Sequence, residues 1–393
     1  MPGALGDALA LTLHPVDART FLEEHWERRP LVVPRGEAGR FDAILSGADA
    51  ERLVCTTAPR LPGFRLIRDG APVPPSAYTE DIPWRPGTFS GTAQVERVAA
   101  EFAAGATIVL QALHLTWHPA ALYCRALEQR LGCPAQANAY WTPAAAAGFD
   151  LHHDTHDVFV LQVAGRKRWA VHEPLVELPL KSQRWAAGLG DPGEPVLEVT
   201  LEPGDTLYLP RGWPHRAATT DDESLHVTVG LHPATRLDAM CAALDRCADD
   251  IEFRRSLPAD GVLDPGLVDR LAERLQPAAV ARAQRMRFVA SRRPVMDDQL
   301  TQVRALAGLG IGDPLERRPT VIADLQLTDT GALLAFEGKE VAFPAQARAA
   351  VAFMFTADGP FTARDLPGAL DEPGRLVLVR RLVREGFLRA IDA

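Results

Sequence analysis

His152-His153-Asp154-Thr155-His156-Asp157-Val158-Phe159-Val160-Leu161-Gln162-Val163-Ala164-Gly165-Arg166-Lys167-Arg168-Trp169 is the stretch on which the fold reading turns. From Val158 it is rich in β-branched and apolar residues, as a buried strand is. Ahead of that run, three histidines and two aspartates crowd into six residues, 152–157. Side chains two apart on an extended chain point to one side. His152 and Asp154 therefore aim at one point, as two of the three ligands of a facial two-histidine, one-carboxylate metal site do. His156 also shares a face with Asp154, so spacing alone leaves a shifted pair open. His153 points away.

The missing histidine is sought downstream, in Gly204-Asp-Thr-Leu-Tyr-Leu-Pro210-Arg-Gly212-Trp-Pro-His215. Gly204-Asp205 and Pro210-Arg-Gly212 read as turns around a short strand, and His215 opens the next one. The order Gly, five residues, Pro, one, Gly, two, His resembles the second motif of cupin barrels. In those barrels that histidine faces the lumen. Either block alone is a weak signal; the pair is specific.

The bounds of the chain agree with an ordinary globular protein. It has 393 residues, 47% hydrophobic and 24% charged, enough for two or three domains. A net charge of -9 argues against bulk nucleic-acid affinity. No apolar run reaches membrane-spanning length, and the N-terminus lacks a basic leader region, so a cytoplasmic protein is expected. Cys55, Cys124, Cys133, Cys241 and Cys247 form no Cys-x-x-Cys pair and read as reduced thiols. Lysine occurs only at 167, 181 and 339 in a chain that otherwise uses arginine, so Lys167 asks for a specific reason.

Read in order, residues 17–28 look helical with Asp17 or Thr20 as cap, and 29–34 form a short strand. Residues 60–92, rich in Pro and Gly, read as surface loop with short strands. Helices are expected at 95–103 and 120–131, the second with Leu122, Leu127 and Leu131 on one face and Gly132 as its stop. Strands follow at 107–111, 136–142, 196–201, 206–209, 215–219 and 225–231, an interval that suggests a sandwich or barrel. From 234 the period becomes helical: Leu237, Met240, Cys241 and Leu244 recur at that spacing, as do Val268, Leu271 and Leu275. Such a stripe is either internal core or a dimer contact. Beyond 300, a capping box at Thr362–Asp365, a helix carrying Leu376, Val379, Leu382 and Val383, and a hairpin at 333–343 suggest a winged helix. Its charges nearly balance, which argues against direct DNA binding.

Together Asn138-Ala-Tyr140-Trp-Thr-Pro143, His152-x-Asp154, Asp157-Val-Phe-Val-Leu-Gln162, Gly165-Arg-Lys-Arg-Trp169 and the His215 block resemble the JmjC-type ribosomal oxygenases. The resemblance implies a mainly β chain with α elements: a double-stranded β-helix (JmjC/cupin jelly roll) at 1–233, a helical, dimerising region at 234–299 and a winged-helix-like domain at 300–393. It implies Fe(II) held by His152, Asp154 and His215, with 2-oxoglutarate as cosubstrate. Lys167 would pair with the distal carboxylate of 2-oxoglutarate, since a buried anion needs a counter-charge. Arg166 and Arg168 would face the other way. Asn138, Tyr140 and Thr142 alternate on one face. The resemblance assigns that face, and Thr228, to the cosubstrate or target, a satisfied core tyrosine being the plain alternative for Tyr140. Asp157 is expected beside the ligands or facing substrate, and His156 at the pocket mouth. The implied reaction hydroxylates a protein side chain, an arginine or histidine of a ribosomal protein. The rivals are the same chemistry on a small molecule, a barrel that only binds a partner, and a histidine-rich cupin isomerase or dioxygenase that needs no cation at Lys167.

Overall fold

The structure, a computed structural model, describes residues 7–146 and 148–391. The leader reading falls on residues 1–6, outside that range. The chain divides between Pro233 and Ala234 into two compact units. No helix among the described residues is long and apolar enough to cross a membrane.

The first unit is mainly β, a nine-stranded antiparallel sheet flanked by helices. Its axis is a pair of long strands, Asp157–Val171 and His215–Leu231, hydrogen-bonded along both halves. The inner half of Asp157–Val171 also pairs with Thr206–Leu209, and its outer half with Leu197–Leu201. On its other edge His215–Leu231 takes Ala135–Thr142, which leads on to Thr107–Leu110 and Phe64–Arg68. Residues 215–231 are thus one strand rather than the two expected. The register slips between Thr219 and Ser224 and again between Leu225 and His226, and this interruption reads as a turn in one dimension. Gln162 ties the slip together, its Nε2 donating to the carbonyls of Ala164 and Gly165 and to Ser224 Oγ at 2.9, 3.1 and 2.9 Å.

The strand Asp157–Val171 is buried on both sides because it divides two apolar clusters. Phe159, Leu161 and Val163 join the large core with the helices; Val158, Val160, Trp169 and Val171 join a smaller one on the opposite face. That is why its sequence reads as a continuous apolar run. The helix His118–Leu131 stops at Gly132 in the left-handed region (φ 66°). Its buried face is Ala120, Tyr123, Cys124 and Leu127, rotated from the leucine stripe expected, and Leu122 is only half-buried. The segment after Asp17 makes one α turn, Ala18–Thr20, and continues as the π turn Phe21–His25. Residues 60–92 are more ordered than expected and include the hairpin Thr79–Trp84 with Gly87–Ala93.

In the second unit helices Arg236–Asp245, Pro265–Arg274 and Pro277–Ser291 precede a three-stranded sheet of Ala323–Thr328, Gly331–Phe336 and Lys339–Pro344. The hairpin foreseen there therefore has a third strand. The capping box Thr362/Asp365 forms, but on the three-residue 3-10 turn Ala363–Asp365. Pro367 follows two residues on and prevents the turn from growing into an α-helix. The stripe of Leu237, Met240 and Leu244 is not internal: these side chains are 53%, 51% and 41% exposed, and Ala242 and Ala243 face inward instead.

Gly165 carries the interrupted register: its φ is +61°, and a Cβ there would stand 1.7 Å from the Glu223 carbonyl oxygen. Gly165→Ala is expected to lower the melting temperature by several degrees or to prevent folding. Gly188→Ala, where a Cβ would meet nothing within 4 Å, should leave it unchanged. Circular dichroism melts of the two variants decide the point.

Candidate metal and anion site

His152 is not on a regular strand. It lies in the loop after the strand Ala135–Thr142 and is fastened by an isolated bridge to His215. His215 N donates to His152 O at 2.8 Å, and His152 N to His215 O at 3.2 Å. Gly212 N donates to the Asp154 carbonyl at 2.9 Å, so the loop is pinned again two residues on. The local extension that these bonds impose is what puts His152 and Asp154 on one side. One nitrogen or oxygen from each of His152, Asp154 and His215 comes within 4.8 Å of the others. The imidazole centroids of His152 and His215 are 4.6 Å apart, and His215 Nε2 is 3.9 Å from Asp154 Oδ2.

Both imidazoles are held in the state a metal ligand needs. His152 Nδ1 lies 2.7 Å from the Asp150 carbonyl, and His215 Nδ1 3.0 Å from that of Trp213. A carbonyl can only accept, so each Nδ1 carries the proton and each Nε2 keeps its lone pair. Burial, and then the neighbouring His152, lower the His215 pKa to about 4. Burial alone would raise Asp154, but the imidazoles of His156, His215, His152 and His153 outweigh it and hold the carboxyl below its ordinary value. Two neutral imidazoles and one carboxylate on one side suit a ferrous ion with positions left over for other ligands.

A cavity of about 100 Å³, open at its mouth, lies beside the triad. At its inner end is Lys167, 3% exposed, its Nζ donating to Thr142 Oγ1 at 2.9 Å. Thr107 Oγ1 supports Thr142 from behind at 3.1 Å. No acid pairs with Lys167 among the described residues, and burial lowers its pKa to about 7. Its neighbours Arg166 and Arg168 point outward to Asp222 and Glu198. Tyr140 and Thr228 line the cavity; burial, and then the nearby Asp154, raise the Tyr140 pKa to about 12. Asn138 is on the same strand but outside the lining: its Oδ1 accepts from Ala112 N at 2.9 Å.

Two expectations change. Asp157 faces away from the cavity: it is fully buried, and its Oδ1 accepts from the Tyr208 hydroxyl at 2.9 Å and from Arg211 N at 3.2 Å. Burial pushes its pKa up to about 6. His156 stacks on His232 at 4.6 Å against Gly230, so it joins neither the triad nor the lining. The sequence reading missed Phe149, Trp169 and His226 as lining. Of these, His226 had a signal: it is two residues from Thr228 on the same strand and so shares its face.

Residues 112–238 match the JmjC domain. That match spans about a third of the chain. Over 273 residues it is 32% identical to ribosomal oxygenase 1 of Gallus gallus, a match covering 65% of this chain and 43% of that protein. It is 28% identical over 341 residues to the Drosophila persimilis bifunctional lysine-specific demethylase and histidyl-hydroxylase NO66, covering 82% and 46%. The chain thus spans under half the length of these two relatives. Among solved structures it is similar to YcfD, a ribosomal oxygenase from Escherichia coli in complex with cobalt and 2-oxoglutarate. That match is 21% identical with a TM-score of 0.57 and covers 95% of this chain and 98% of that one. At this identity the likeness speaks for the fold, mainly β with helices and JmjC- or cupin-like.

A lone buried ammonium opposes folding. The folded pKa of Lys167 lies below its ordinary 10.5, so this cost is fully present below about pH 7 and fades as pH rises toward 10.5. Lys167→Met is therefore expected to stabilise the metal-free protein at pH 6 by a few kcal/mol, and by less at pH 10. Denaturant melts at the two pH values measure it, and an unchanged or lower stability at pH 6 would contradict it.

Proposed function

We propose that this protein is an Fe(II)- and 2-oxoglutarate-dependent oxygenase that hydroxylates a side chain of a ribosomal protein. The observation that carries the reading is the pairing of the His152, Asp154 and His215 triad with a buried lysine that lacks an acid among the described residues, across one cavity. With O2, the bound iron and keto acid supply the oxidising chemistry, turning 2-oxoglutarate into succinate and CO2 as a substrate C–H becomes C–OH. His152, Asp154 and His215 hold the ion by their free Nε2 atoms and a carboxylate oxygen. Lys167, steadied by Thr142, neutralises the far carboxylate of the keto acid. Tyr140 and Thr228 border that anion, and Asn138 acts indirectly, by hydrogen bonding to Tyr140 and by fastening the strand to Ala112. Val158, Val160, Phe149 and Trp169 keep water from the reacting centre.

The lining also bears on the target. Among the described residues its one carboxylate is Asp154, already engaged by the triad. A guanidinium would enter without a counter-charge, which is costly in a desolvated site. A neutral imidazole would not. We therefore favour histidine over arginine as the residue modified, with a cytoplasmic setting to match a ribosomal target.

The second unit would serve assembly. Leu237, Met240 and Leu244 line one side of the helix Arg236–Asp245, and Val268 is 56% exposed on the neighbouring helical segment Pro265–Arg274. Exposed apolar patches of this kind mark contacts, and we assign this one to a homodimer. The sheet of residues 323–344 with helices Arg348–Thr356 and Glu372–Glu385 is read as a winged-helix-like module that contacts protein rather than DNA.

His152→Ala and Asp154→Ala are expected to abolish succinate formation and Mn(II) binding while leaving the circular dichroism spectrum intact. Undiminished succinate in either variant would refute the assignment. Lys167→Ala should raise the 2-oxoglutarate requirement at least about tenfold. Ribosomal-protein peptides that present histidine or arginine, analysed by mass spectrometry, separate the two targets. Light scattering should give twice the chain mass for the native protein and the single mass for Leu237→Asp/Met240→Asp; a native monomer would remove the dimer reading.

A further inference from the structure

We propose that His226 is a second ligand for the distal carboxylate of the keto acid, donating a ring N–H to one oxygen while Lys167 takes the other. The inference rests on the reading of the cavity as a 2-oxoglutarate site and adds a residue to it.

The placement follows from the strand register. Tyr140 and Thr142 share one face of Ala135–Thr142. In the paired strand His226 stands opposite Tyr140, and Ser224 opposite Thr142. The Lys167 ammonium is anchored on Thr142, so His226 is its neighbour along the barrel wall. Both line the same cavity. The charge of Lys167 adds to burial in lowering the pKa of His226, as expected of two basic groups facing one space.

The ring is braced in position. It stacks on Tyr140 with centroids 5.0 Å apart and planes 8° apart, and meets Trp169 edge to face at 5.6 Å. Its polar atoms are left over. His226 is 3% exposed, neither ring nitrogen has a hydrogen-bond partner among the described residues, and Nδ1 is sealed from solvent. Buried polar groups are nearly always satisfied, so a sealed imidazole nitrogen left idle is an exception that needs a reason. Lys167 beside it has a hydroxyl but no acid. Two idle basic groups side by side, with no carboxylate between them, are the complement of one carboxylate with two oxygens. The Tyr140 hydroxyl, held protonated, is the other titratable group against the ring and can donate to the same anion.

The test compares two keto acids on the Fe(II)-loaded protein without oxygen: 2-oxoglutarate, and 2-oxopentanoate, which has the same chain length but no distal carboxylate. The absorbance of the keto acid bound to iron reports binding. His226→Phe keeps the stack on Tyr140 and the edge contact with Trp169 but removes both nitrogens. It is expected to weaken 2-oxoglutarate about tenfold and to leave 2-oxopentanoate within twofold. His226→Gln, which restores an N–H, should recover most of the loss. If His226→Phe does not fold, His226→Leu takes its place in the same comparison. Equal binding of 2-oxoglutarate by variant and native protein, or an equal loss of both acids, overturns the role of His226 while the oxygenase reading stands. Native protein that binds neither acid overturns that reading itself, and this inference with it.

Discussion

Two backbone hydrogen bonds between His152 and His215 hold the chemistry of this protein together. They are sixty-three positions apart in the chain. Without the bridge, His152 and Asp154 would sit in an unsupported loop, and no alternation would aim them at His215. With it, the loop is drawn out beside a long strand for just the residues that need to be extended. The carbonyls of Asp150 and Trp213 then fix the imidazole tautomers. A metal site needs such support around its ligands, because the free ligands are a mutually repelling or wrongly turned set until something else orients them.

The interior of the barrel is built against its own stability. Among the described residues Lys167 is buried with a hydroxyl for company, and His226 is buried with no partner for its Nδ1. A chain selected only for folding would place apolar groups at both positions, since the surroundings are apolar strands and aromatic rings. The energy to tolerate them comes from the two apolar clusters on either side of Asp157–Val171. Such a cavity favours an anion before any contact is made, because the first carboxylate to enter relieves both groups at once.

The paired long strands explain how one sheet can serve both ends of this site. Their inner halves carry Val158, Val160, His226 and Thr228; their outer halves carry Lys167, Trp169, His215 and Ala217. The slipped register between them, tied by Gln162 and made possible by Gly165, reconciles the two halves. A bulge at that point lets Lys167 of the outer half and His226 of the inner half face one space.

The sequence by itself determined the chemistry of the ligands. Two histidines and an aspartate at cupin-like spacing, a single lysine in an arginine-rich setting, and strand-period runs were all legible, because each is a local pattern. The strands expected at 107–111, 136–142 and 206–209 form within one residue of those limits, at Thr107–Leu110, Ala135–Thr142 and Thr206–Leu209, and were legible for the same reason. What the tertiary structure decided was which neighbours each side chain meets. Asp157 and His156 belong to the same dense cluster as the ligands, yet the one turns to Tyr208 and Arg211 and the other to His232. The stripe of Leu237, Met240 and Leu244 has helical period whether it faces a core or solvent, so period could not place it. His226 reads as one more residue in an alternating strand, and only the packing of Tyr140 and Trp169 around it leaves its nitrogens bare. Periodicity reports which face a residue is on; what stands opposite that face depends on contacts between segments distant in the chain, and these exist only once it has folded.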